Sequence, residues 1–114
     1  MPAETTSRDE VERLLRVFSY EVRQGGFAQL LFNMRGENLA AMEDMLIAVG
    51  APRAQDFYVR AIREALADRD AYRELLSDWH SAAAVNLRSS LQLLSVEYLT
   101  GGPSLEREAQ GWFS

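Results

Sequence analysis

Apolar positions recur every three or four residues along almost the whole chain, and that period predicts a succession of helices. Val11, Leu14, Leu15, Phe18 and Val22 fall at i, i+3, i+4, i+7 and i+11, one stripe on a helix expected from near residue 8 to about Gln24. Ser7 and Glu10 have capping-box spacing at its start. Phe27, Leu30, Leu31 and Met34 make a shorter stripe, which Gly36 is expected to end. Leu39, Met42, Leu46 and Val49 carry a third helix to Gly50, a residue suited to the position just past a helix C-terminus. Pro52 cannot extend that helix but suits the first turn of the next, expected over 52–67. There Ala54, Phe57, Tyr58, Ala61, Ile62, Ala65 and Leu66 share a buried face, opposite a wet one with Arg53, Asp56, Arg60, Arg63 and Glu64.

Beyond a turn at Asp68–Asp70, Tyr72, Leu75, Leu76, Trp79 and Ala83 keep helical spacing, and no Gly or Pro between Ser81 and Ser90 marks where that helix stops. Ser95 is expected to cap a short segment through Tyr98. Gly101-Gly102-Pro103 breaks the chain, and Leu105, Ala109, Trp112 and Phe113 define a last amphipathic turn or two. No alternating strand pattern occurs. The expected fold is all-α, a single compact domain of about five to seven helices over residues 8–114, with a loosely held N-terminus over 1–7.

Gly25 and Gly26 stand between the first two stripes and can adopt positive φ without a Cβ clash, so they predict a tight turn from one helix into the next. Phe27 follows as a core residue. Gln29 and Asn33 lie one turn apart beyond it, and their amides are expected to satisfy backbone groups that the turn leaves unpaired.

Composition narrows the chemistry. The 114 residues are 47% hydrophobic and 25% charged, ordinary for one globular core. The lack of cysteine excludes disulfides, thiolate metal sites and a cysteine nucleophile. All 12 basic residues are arginine, which excludes a Schiff-base lysine and a P-loop lysine. A net charge of −5 argues against direct nucleic-acid binding. Apolar runs far shorter than the roughly 20 residues of a membrane helix argue against a span. With no signal-peptide pattern at the N-terminus, a cytoplasmic address is expected.

No catalytic, cofactor or metal constellation emerges. His80 is the only histidine, next to Trp79 and bordering the buried face of its expected helix. Neither H-x-x-x-H nor H-x-E spacing exists around it. Glu43-Asp44 and Asp68/Asp70 are the tightest acidic pairs, and each falls on a wet face or a turn. No nucleophile elbow or phosphate-binding glycine loop is present. The enzyme alternative is a small-ligand or hydrolase site near Gln29, Asn33 and His80. Glu43, Asp44, Trp112 and Phe113 are the candidate contacts for a protein partner, and the C-terminal aromatics serve either the chain's own core or a homodimer interface.

The run Glu21, Gly25, Gly26, Phe27, Gln29, Asn33, followed by Ile47-Ala48-Val49-Gly50-Ala51, resembles a family of small bacterial helical domains of unknown function related to the DNA mimic protein family. Leu94-Ser95-Val96-Glu97-Tyr98, then Leu105 and Trp112, resembles that family's ending. The resemblance implies an all-α fold, no catalytic residues, a dimer, and a transcription factor as partner, bound on its DNA-binding surface. Gln24 stands where relatives commonly have Asn, which shifts the expected start of the turn to Gly25. A duplex would present about 14 charges along a helix of about 24 Å. The helix expected over 52–67, by contrast, interleaves acidic and basic residues. A non-enzymatic protein-binding domain is therefore the expected function, and the resemblance adds regulation of a transcription factor.

Overall fold

A computed structural model describes residues 8–34 and 37–113. Seven helices follow one another among them: α1 (Arg8–Asn33), α2 (Glu37–Ala48), α3 (Pro52–Ala67), α4 (Arg69–Ser77), α5 (Ala82–Thr100), α6 (Leu105–Glu108) and α7 (Gln110–Phe113). Among the described residues there is no strand. Ser7 and Gly36, expected as a cap and a helix stop, lie outside the described residues.

The first two expected helices are the two arms of α1, which meet at a single non-helical residue. Gly26 alone leaves the helical region, at φ 74° and ψ −170°, while Gly25 stays helical. This corrects the expected start of the turn at Gly25. The bend is sharp: Glu21 Oε1 lies 2.8 Å from Asn33 Nδ2, although a straight helix would hold two residues twelve positions apart at about 18 Å. Phe18 and Phe27, on opposite sides of the bend, meet edge to face with centroids 6.1 Å apart. Both are fully buried.

At the end of α2 the backbone closes a Schellman motif. Gly50, at φ 72°, donates its N–H to Ile47 O, and Ala51 donates to Leu46 O at 3.1 Å. Pro52 then opens α3, where Ala51 offers no side-chain cap. Glu108 of α6 supplies one from a distance, accepting from Arg53 N at 2.8 Å and Ala54 N at 2.9 Å. A carboxylate on two free N–H groups at a helix N-terminus also meets the positive end of the helix dipole. Arg53, expected on the wet face, is instead half-buried: its guanidinium lies over Phe57 and Tyr98 and donates to Pro103 O and Glu97 O.

The apolar spacing carries one expected helix past Trp79, and the structure breaks it there. Asp78 ends α4, and Ser81 Oγ starts α5 by accepting from Ala84 N at 3.1 Å. Trp79 and His80 therefore sit in a turn. Ser95, expected as a cap, lies inside α5 and is buried. α5 packs against α1, α3 and α4, placing Ala84, Leu87, Leu91 and Tyr98 in the shared core. The molecule measures 44 × 35 × 20 Å, so its thin dimension is about two helix diameters.

Candidate functional site

The glycine bend is a packing node. Breaking the helix at Gly26 frees the Phe27 N–H, and Ser95 Oγ accepts it at 2.9 Å from across the core. The same hydroxyl donates to Leu91 O at 2.9 Å, so both of its roles are filled. A Cβ added at Gly26 would stand 2.5 Å from Ser95 Oγ, which explains the glycine twice over, by φ and by space. Gln29 and Asn33 do not serve the turn's backbone. Gln29 Nε2 and Asn33 Nδ2 both donate to Glu21 Oε1, at 2.7 and 2.8 Å. The motif residues Glu21, Gln29 and Asn33 are thus one clasp that holds the two arms of α1 together.

His80 is exposed in the turn between α4 and α5. Its backbone N–H donates to Asp78 Oδ1 at 3.0 Å, and its imidazole shares no hydrogen bond with Gln29 or Asn33. Among the described residues no group of three or more His, Asp or Glu side chains is arranged to hold a metal ion.

The candidate partner contacts lie on different elements. Glu43 and Asp44 belong to α2. Asp44 is exposed, with Ile47 exposed one turn on, while Glu43 is half-buried and its charge helps raise the pKa of Tyr58, after the larger effect of burial. Trp112 packs half-buried on the core beneath the Arg8 guanidinium, 5.2 Å from its ring centroid. The Phe113 side chain lies outside the described residues.

The largest feature that sequence reasoning missed is the outer face of α5. Val85, Leu93, Val96 and Leu99 are 42%, 75%, 48% and 45% exposed, and their spacing places them on one side of the helix. The two charged residues of α5 turn to its flanks: Arg88 lies over Trp79, and Glu97 approaches Arg60 at 3.6 Å. An apolar, uncharged strip remains facing outward. The signal was present in the sequence, since apolar residues occupy both sides of the segment 82–100 and leave it no polar face. Large contiguous apolar patches on globular chains commonly belong to interaction surfaces.

Among the described residues no helix is long and apolar enough to cross a membrane. No curated protein and no solved structure matches the chain. One family model does, that of the DMP19-like protein, over residues 13–111, a span that includes the glycine bend, the Glu21 clasp and the whole of α5. The chain belongs to the DMP19-like protein family.

Proposed function

We propose that this chain is a non-enzymatic, protein-binding domain that pairs with a second copy of itself and regulates a transcription factor. The family suggests a protein-binding role of the DNA-mimic kind. The observation that carries the reading is the uncharged apolar strip on α5. Val85, Ser89, Gln92, Val96 and Leu99 are spaced four, three, four and three apart, the spacing of a helix–helix seam. Rotation by a two-fold axis near Gln92 sets Val85 of one copy opposite Leu99 of the other and Ser89 opposite Val96, with no charge buried between them. The strip is self-complementary, as an isologous contact requires.

Pairing through α5 leaves α2 free for a different protein. Asp44, with Glu43 beside it and Ile47 one turn on, offers acidic and apolar groups together, the mixture that a basic DNA-binding surface with an apolar rim accepts. The test is retention of proteins from a lysate of the source organism on the tagged full-length chain. The reading expects a sequence-specific DNA-binding protein to be retained, released by duplex DNA, and lost in the double variant Glu43→Arg, Asp44→Arg. Retention that is indifferent to duplex DNA and to charge reversal would overturn it.

A further inference from the structure

Beside the seam on α5 lies a depression of about 320 Å³ that the bend of α1 and the α4–α5 turn complete. Val85, Arg88, Ser89 and Gln92 line it from α5, with Ala28 and Trp79 from outside that helix. The four α5 residues stand at i, i+3, i+4 and i+7, the quartet that surrounds one hole on a helix surface. Val85, Ser89 and Gln92 are exposed, whereas Ala28 is buried at the floor.

Trp79 is fixed before any partner arrives. Its ring meets Phe32 edge to face with centroids 5.2 Å apart, and the Arg88 guanidinium lies 4.9 Å from its centroid. Arg88 Nε also donates to Trp79 O at 3.2 Å, so this arginine is committed within its own chain. An aromatic wall held on two sides loses little conformational freedom on contact, and tryptophan is enriched among the residues that carry binding energy in interfaces. Hydrocarbon, one hydroxyl and one amide make up the rest of the lining, which suits an uncharged, branched side chain.

The two-fold pairing proposed above sets Ser89 of one copy opposite Val96 of the other, and so puts the partner's Val96 above the middle of the quartet. Val96 is uncharged, branched and half exposed. Resting on that pairing, the geometry points to a mutual knob-into-hole contact: the partner's Val96 seats in the depression between Trp79, Val85, Ser89 and Gln92, and symmetry repeats the contact. The pairing surface then extends beyond α5 to the α4–α5 turn and to Ala28 beside the glycine bend.

The chain has no cysteine, so introduced thiols report the register without interference. The double variant Ser89→Cys, Val96→Cys, mildly oxidised, should form a covalent dimer. Either single variant should stay unlinked, because like residues of the two copies lie about 10 Å apart along the seam, beyond a disulfide's reach of about 7 Å. Trp79 supplies a second readout in a Trp112→Phe chain, where it is the sole tryptophan. Its emission should lie at longer wavelength once Val96→Glu is added and the dimer is lost. Light scattering run alongside separates the failures. A parent that is monomeric overturns the pairing itself and this contact with it. A dimeric parent whose double variant does not link, or whose single variants do, overturns the contact and leaves the pairing standing. Trp79 emission that is the same in dimer and monomer overturns the contact as well.

Discussion

The Phe27 N–H donates to Ser95 Oγ at 2.9 Å across a sequence separation of 68 residues, and that bond lets a helix break inside a core. Glycine supplies the backbone angles, but the break also exposes a donor, and α5 delivers the acceptor. Ser95→Ala leaves the Phe27 N–H buried and unpaired, at a cost of about 1–3 kcal/mol. Thermal denaturation should show a midpoint lowered by about 4–8 °C per kcal/mol. An unchanged midpoint would show that the bend does not depend on Ser95.

Two glycines with nearly equal φ should respond differently to substitution. Gly26 has φ 74° and ψ −170° with Ser95 against it, whereas Gly50 has φ 72° and open space where a Cβ would go. Gly50→Ala carries the left-handed penalty alone, about 1–2 kcal/mol. Gly26→Ala adds a steric conflict in a region of backbone space that only glycine occupies readily, for a total above about 3 kcal/mol. Denaturant titrations of the two variants check the order. Equal losses would mean that space at Gly26 does not matter.

Glu108 stabilises α3 through its charge and its two oxygens together, because each oxygen accepts from a different N–H. Glu108→Ala should cost about 1–2 kcal/mol. Glu108→Gln keeps one acceptor and should recover part of that. Chemical denaturation of both variants reads the difference, and identical losses would assign the effect to charge alone.

Tyr98 makes stability fall in alkali. Burial raises its pKa to about 12. The unfolded chain releases the same proton near pH 10, so between the two values the folded state binds more protons and stability falls as pH rises. Tyr58 moves in the same direction, again chiefly through burial. Absorbance at alkaline pH should show these tyrosines ionising late, together with the onset of unfolding. Ionisation of all tyrosines near pH 10 with the fold intact would contradict the burial described.

Helix boundaries were legible wherever the chain marks them with backbone chemistry. Pro52 and Gly50 locate the α2–α3 junction, and Gly101-Gly102-Pro103 ends α5. The break between α4 and α5 was not legible, since Asp78 and Ser81 form it through caps that only the folded geometry selects. Ser95 was misread for a related reason: a serine hydroxyl suits a cap and a buried acceptor equally well, and only α1 arriving beside it decides between them. Arg53 looks like a surface arginine in the sequence because the Tyr98 ring and the two carbonyls that receive it come from residues more than forty positions away. The strip on α5 escaped notice because a helix apolar on both sides reads as wholly buried, and only exposure shows which side faces outward.

Mass in solution tests the central claim, that the outer face of α5 is where the chain meets a second copy. Light scattering of the intact protein should give about twice the 12.9 kDa chain mass. Val96→Glu places a charge in the middle of the strip, at a position 48% exposed in the single chain. That variant should run as a monomer with an unchanged helical circular dichroism spectrum. A parent that stays monomeric at every concentration, or a Val96→Glu variant that stays dimeric, would contradict the account.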